Sequence, residues 1–207
     1  MPESLPARSD IAAIVLAAGA SSRFGSDKLL HPLTLHGVTL PLAAHSLRPW
    51  LETFKQISVV VRPAAKVFCS AIEAALSTSD SAGIHWIECA DAAQGMASSL
   101  ACGVRANLDV TGWLIGLADM PVVSVQAITG VRNALSDGAA IAAPAHSGRR
   151  GHPVGFARQY REELLALQGD VGARHLLERD KSDVVEIMVD DVGIFADIDI
   201  PGDLGIL

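Results

Sequence analysis

Short apolar runs alternate along the chain with longer stretches of helical spacing. Residues 11–16 (I-A-A-I-V-L) are continuously apolar, as expected of a central parallel strand buried on both faces. Further strands are predicted at 57–61 (I-S-V-V-V), 84–88, 113–117, 139–143 and 184–189, with a short return strand at 154–156. Helices are predicted at 40–54, with an interruption near Pro49, and at 64–76 and 96–108. Others follow at 124–135, where Ser124 would cap the first turn, and at 158–167 and 172–179. The cluster Ser77-Thr78-Ser79-Asp80-Ser81 reads as a turn, and 146–151 as a polar, arginine-containing loop. Strands alternating with helices imply an α/β fold around a mostly parallel sheet with right-handed crossovers. No repeat, linker or second domain interrupts the pattern. The expectation is one domain over residues 1–207, with 1–9 as a flexible N-terminal extension.

In such sheets ligands sit outside the C-terminal ends of the strands. The segments that matter most are therefore 17–28, 90–99, 118–121 and the end of the chain. After the first strand comes Leu16-Ala17-Ala18-Gly19-Ala20-Ser21-Ser22-Arg23-Phe24-Gly25-Ser26-Asp27-Lys28. Small residues let the backbone approach a ligand, its N–H groups suit phosphate oxygens, and Arg23 and Lys28 add cations. The spacing is neither G-x-x-x-x-G-K-[ST] nor G-x-G-x-x-G, so the common ATPase and dinucleotide loops are excluded. On chemistry alone, a polyphosphate cradle and an ordinary glycine-containing turn stand about level.

Composition narrows the classes. Half the residues are apolar and 19% are charged, which excludes a disordered chain. The net charge of −7 and the 4% aromatic content argue against nucleic acid as a partner. The acidity is uneven. The last 25 residues hold seven acids and no Lys or Arg, while the rest of the chain balances. Most of these acids are expected to be solvated. Three cysteines (Cys69, Cys89, Cys102), without a C-x-x-C pair, fit buried thiols in a reducing cytoplasm. The apolar run at 11–20 is shorter than the roughly 20 residues of a membrane span, and Glu3 and Asp10 before it do not suit a signal peptide. No membrane association is expected.

The loop after the first strand resembles the L-A-A-G-x-S-x-R-[F/M]-G-x-x-K motif of the MobA-like nucleotidyltransferases. Its L-A-A-G form resembles the branch that acts as molybdenum cofactor (molybdopterin) cytidylyltransferases. Five further motifs agree, in order. Gln94-Gly95-Met96-Ala97-Ser98-Ser99-Leu100 resembles Q-G-M-x-x-S-L, and Leu117-Ala118-Asp119-Met120-Pro121 resembles L-x-D-x-P. Gly151-His152-Pro153-Val154 resembles G-H-P-V, and Gly169-Asp170-Val171-Gly172-Ala173-Arg174 resembles G-D-x-G-A-R. Asp197-Ile198-Asp199-Ile200-Pro201-Gly202-Asp203-Leu204 resembles D-I-D-T-P-E-D-L, departing at Ile200 and Gly202. Each motif is short, but together they span residues 11–204.

The resemblance implies a three-layer Rossmann-like nucleotidyltransferase fold. It implies transfer of a cytidylyl group from CTP to the phosphate of molybdopterin, with release of pyrophosphate. The nearest alternatives are another phosphorylated acceptor (a sugar phosphate or methylerythritol phosphate) or guanylyl transfer from GTP. A non-catalytic carrier that serves a molybdenum hydroxylase apoenzyme is an alternative of a different class. Mg²⁺ suits joining two anions, because it takes oxygen ligands and bridges phosphates with few carboxylates. Asp119, directly after an apolar strand, is the first expected metal ligand, and Asp199 the second. Asp197 lies two residues from Asp199, so periodicity cannot separate the pair. Lys28 is expected on the triphosphate, with Arg23 assisting. Leu16, Ala17, Ala18 and Gly19 would approach the base and ribose through backbone atoms. Asp91, Gly95, Ser98 and Ser99 fall where a helix begins, and bind the nucleotide or merely cap that helix. His152, Arg149 and Arg150 form the expected acceptor side, although a satisfied histidine and a flexible basic loop would account for them equally. Asp170 would cap a helix.

Overall fold

The computed structural model describes residues 11–19, 24, 27–169, 172–200 and 202–203. The expected N-terminal extension, Arg23 and Asp170 lie outside these residues. Among the described residues an eight-stranded, mostly parallel sheet runs through the molecule. In chain order its strands are β1 (Ile11–Leu16), β4 (Ile57–Val61), β5 (Ile84–Glu88), β6 (Gly112–Leu117), β7 (Ile141–His146), β8 (Arg149–Arg150), β9 (Val154–Ala157) and β10 (Val184–Met188). A separate antiparallel hairpin pairs β2 (Pro32–Leu35) with β3 (Val38–Pro41). The order across the sheet is β10-β7-β9-β6-β1-β4-β5, with β8 paired to β7. β9 runs antiparallel to both β6 and β7.

Alternation along the strands builds the layers. Ala13 and Val15 of β1 face one core with Leu42, Leu47 and Trp50 of α1 (Leu42–Thr53), Phe68 and Ile72 of α2 (Lys66–Ala75) and Ile128 of α5 (Val125–Ser136). Ile14 and Leu16 face the other core, with Leu100 and Val104 of α4 (Met96–Arg105), Leu164 of α6 (Arg161–Leu165) and Leu176 of α7 (Arg174–Arg179). A strand buried on both sides has no polar face to show, hence the unbroken apolar run at residues 11–16. Gly116 of β6 is required by packing: a Cβ there would run into Cζ2 of the Trp50 ring.

Four expectations are corrected. α1 continues through Pro49, because Leu47 and Trp50 on either side of it are buried and hold the helix against the sheet despite the missing N–H. The serine-rich turn forms α3 (Thr78–Ala82), with Ser77 Oγ accepting from the Asp80 amide; residues that favour turns also favour N-caps. The arginine loop is a tight hairpin, with Ser147 and Gly148 both at positive φ between paired His146 and Arg149. That is the conformation two-residue hairpins require, and His36-Gly37 repeats it in the unforeseen β2–β3 hairpin. Of the three cysteines only Cys89 is fully buried.

Candidate active site

β1 and β6 lie side by side in register, with Leu16 paired to Leu117, so the segments that follow them leave from the same sheet edge. The ladder continues briefly beyond both strands, through Ala17 N–H to Val60 O and Ala118 N–H to Leu16 O. Ala17 and Ala18 are consequently buried, and Gly19 is exposed at the rim. The first loop returns through a 3₁₀ turn, Lys28–Leu30, which carries Lys28 inward.

Lys28 is only 8% exposed. Its Nζ donates to Asp119 Oδ2 at 2.8 Å and to Asp199 Oδ1 at 3.4 Å. These three residues are 91 and 171 positions apart in sequence, and the fold brings them to one point. Asp119 arrives because β6 ends two residues before it. Asp199 arrives because Ile198 N–H donates to Asp119 O and the Ile198 side chain is buried. The Asp203 carboxylate then accepts from the amides of Asp199 and Ile200, which fixes the turn and holds the Asp203 carboxyl below its usual range. Further upstream, Asp191 accepts from the amides of Ser124 and Gly193 and so ties the segment to the start of α5.

Four of the seven acids of the tail, Asp183, Glu186, Asp190 and Asp197, are exposed as expected, and the other three are partly buried. Asp191 and Asp203 brace backbone, Asp199 meets Lys28, and Glu186 lies 3.7 Å from Arg150. Asp197 is exposed, whereas Asp199 is partly buried beside Lys28, so the structure separates two acids that periodicity could not.

Asp119 Oδ1 is buried and has no hydrogen-bond partner among the described residues. An orphaned carboxylate oxygen beside a second carboxylate is a donor set that suits a hard divalent cation. No group of three or more His, Cys, Asp or Glu is poised to hold a metal among the described residues. Two carboxylates completed by water and phosphate oxygens fit Mg²⁺ or Mn²⁺, but not a structural zinc centre.

The remaining expected residues separate into two groups. Gly95 adopts φ 124°, open to glycine alone, and starts α4. The N-cap of α4 is Gly95, with no side-chain capping bond among the described residues, so Ser98 and Ser99 lie past the capping position. Ser99 is buried, Ser98 half-buried, and Asp91 is exposed with its carboxylate accepting from Gln94. The other group flanks the hairpin. Arg149 stacks 4.3 Å over the Phe195 ring and Arg150 faces Glu186 at 3.7 Å, while Arg150 Nη1 is buried without a hydrogen-bond partner among the described residues. His152 accommodates a buried Nδ1 that lacks a partner among the described residues. Burial pushes its pKa down, against an upward pull from Asp119 and Asp197, which places its ring within electrostatic reach of the carboxylates.

Arg62 was missed from the sequence. It directly follows β4, at the same sheet edge, and pairs with Asp27 at 2.9 Å beside a cavity of about 380 Å³ lined also by Ala17, Leu30 and Phe68. Its position after a predicted strand was the available signal. A larger cleft of about 750 Å³ lies at the opposite edge, lined by Lys55, His85 and Arg132 and by none of the expected site residues.

Small-residue backbone beside an internal ammonium and paired carboxylates equips a protein to handle the phosphates of a nucleotide, and fold and site point together to a nucleotidyltransferase. Comparison with known proteins agrees. The chain belongs to the family of MobA-like NTP transferase domains, which it matches over residues 13–184. A solved homologue of Rv0371c from Mycobacterium sp. strain JC1 is 26% identical, with 96% of this chain and 94% of that one covered and a TM-score of 0.77. Rv0371c from Mycobacterium tuberculosis H37Rv, solved in complex with manganese, is 25% identical, with 95% and 97% covered and a TM-score of 0.70. A nucleotidyl transferase from Methanothermobacter, Mth528, shares the fold at 22% identity, 93% coverage of both chains and a TM-score of 0.72. No curated protein sequence matches the chain significantly. Among the described residues no helix is long and apolar enough to cross a membrane.

Proposed function

We propose that this nucleotidyltransferase moves a cytidylyl group from CTP to the phosphate of molybdopterin, giving the cytosine dinucleotide and pyrophosphate. The observation that carries the catalytic reading is the convergence of Lys28, Asp119 and Asp199 at the ends of β1 and β6. The choice of CTP and molybdopterin rests on the L-A-A-G form of the first loop and the five motifs that follow it in order.

In this reaction an oxygen of the acceptor phosphate attacks the α-phosphorus of CTP. A new P–O–P linkage forms, the bond from the α-phosphorus to the α,β-bridging oxygen breaks, and that oxygen leaves on pyrophosphate. A phosphate monoester has its second pKa near 6, so the attacking group is largely ionised at neutral pH and no protein base is required. What the protein must do is hold two anions in line and balance their charge. Asp119 and Asp199 would hold Mg²⁺, which when bound screens the phosphate charges and steadies the leaving pyrophosphate. The manganese complex of Rv0371c supports a divalent ion in this family. Lys28 would neutralise the triphosphate, with Arg23 assisting. Backbone groups of Leu16, Ala17, Ala18 and Gly19 would meet base and ribose, and the start of α4 at Gly95, Ser98 and Ser99, with Asp91, would bound the nucleotide on the other side. His152, Arg149 and Arg150 would face the acceptor.

The test is pyrophosphate release by purified protein with Mg²⁺. Each of CTP, GTP, ATP and UTP is paired with molybdopterin, a sugar phosphate or methylerythritol phosphate. Release is expected with CTP and molybdopterin, well above every other pairing. Equal rates with all nucleotides, or a preference for another acceptor, would refute the assignment. No release with any pairing would favour a carrier role.

A further inference from the structure

Lysine is rarely buried unless paired, and Lys28 is paired twice. At least two of its three N–H donors are directed at carboxylates, while the proposed reaction asks them to meet a triphosphate. A divalent cation on Asp119 and Asp199 would compete for the same carboxylates and would repel an ammonium standing between them. One ammonium cannot serve the empty and the loaded site in the same position.

We infer that Lys28 is the resident counter-cation of the ligand-free site and a positioning residue for its carboxylates. Its ammonium holds Asp119 and Asp199 together until a divalent cation arrives. It then exchanges the carboxylates for the phosphates of the nucleotide that enters with the ion. The inference deepens the reading of Asp119 and Asp199 as metal ligands and rests on it. Two features of the site favour exchange over a permanent ion pair. Asp199 keeps about half its side-chain surface exposed, so the longer contact at 3.4 Å opens at little cost. Asp119 Oδ1 is buried without a partner among the described residues, so Lys28 leaves one acceptor of that carboxylate unused. Lysine suits such an exchange better than arginine, because a compact ammonium on a flexible stem can swing where a planar guanidinium would lock both carboxylates.

The consequence is that the free ion binds weakly and the ion with nucleotide binds well. The experiment is Mn²⁺ binding, followed by electron paramagnetic resonance of the unbound ion, first without nucleotide and then with CTP. Lys28→Met removes the competing charge and is expected to bind Mn²⁺ alone about tenfold tighter than the wild type, or more. Lys28→Arg is expected to bind it no tighter than the wild type. Addition of CTP is expected to narrow the gap between Lys28→Met and the wild type, since nucleotide draws the wild-type ammonium away. Lys28→Gln, which keeps a hydrogen-bond donor near Asp119, takes the place of Lys28→Met if the latter does not fold. Equal affinity of the wild type and the neutral variants without nucleotide would overturn the exchange and leave the metal reading standing. Absence of Mn²⁺ binding in all proteins, with and without CTP, would overturn the metal reading and the exchange with it.

Discussion

The ends of β1 and β6 and the β7–β8 hairpin carry the same kinds of residue in sequence, cations among small and polar neighbours, yet they use them differently. At the strand ends Lys28, Asp119 and Asp199 come from three distant segments and point at one place. On the hairpin each arginine meets one partner, Arg149 the Phe195 ring and Arg150 the Glu186 carboxylate at 3.7 Å, and Arg150 Nη1 is buried without a hydrogen-bond partner among the described residues. Charges that converge from far apart in sequence are held there by the fold and create a site. Charges met one partner at a time shape the rim beside it. The acceptor side is therefore expected to tune binding, while the strand ends carry the reaction.

The largest effect expected from this contrast is at Asp119. Asp119→Asn keeps the shape and removes the charge, and pyrophosphate release should fall about 10²- to 10³-fold, the usual cost of losing one electrostatic group that acts on the transition state. A loss below tenfold would place the chemistry elsewhere. Next comes the scaffold under the strand ends. Gly116→Ala drives a methyl group into the Trp50 ring and should cost about 1–3 kcal/mol by overpacking. At roughly 2–4 °C per kcal/mol for a chain of this size, thermal unfolding would show it directly. An unchanged midpoint would mean that β6 and α1 are less tightly apposed than described. The smallest effect belongs to the hairpin. Arg149→Ala forfeits an exposed cation–π contact worth about 0.5–1 kcal/mol and should raise the KM for the acceptor by less than about tenfold with kcat little changed. A collapse of kcat would erase the distinction between the two regions.

Much of the sheet was legible because its central strands are buried on both faces. Ile11–Leu16 and Ile57–Val61 coincide with the predicted apolar runs, and Gly112–Leu117 differs from its predicted range by one residue. The β2–β3 hairpin was not read, since its strands are short and its turn, His36-Gly37, depends on a positive φ at a histidine. Pro49 misled because helix propensity is local, while the burial of Leu47 and Trp50 that overrides it is tertiary. In the site, Asp119 and Lys28 were legible as residues that follow a strand and a small-residue loop. The preference for Asp199 over Asp197 rested on resemblance. The geometry now adds a physical reason, because Ile198 inserts its side chain into the core and bonds to Asp119, so that Asp199 follows it to Lys28. The roles of Asp191 and Asp203 as backbone braces were not legible, since an acid that accepts from amides and an acid in water look alike in sequence.

The central claim is that the meeting point of Lys28, Asp119 and Asp199 is where a divalent ion and a triphosphate bind. The most direct measurement is anomalous difference density for Mn²⁺ in crystals grown with a non-hydrolysable CTP analogue. The account predicts a peak shared by Asp119 and Asp199, with the Lys28 ammonium on the phosphates. A peak touching neither carboxylate, or an analogue seated in the opposite cleft between Lys55 and Arg132, would contradict it.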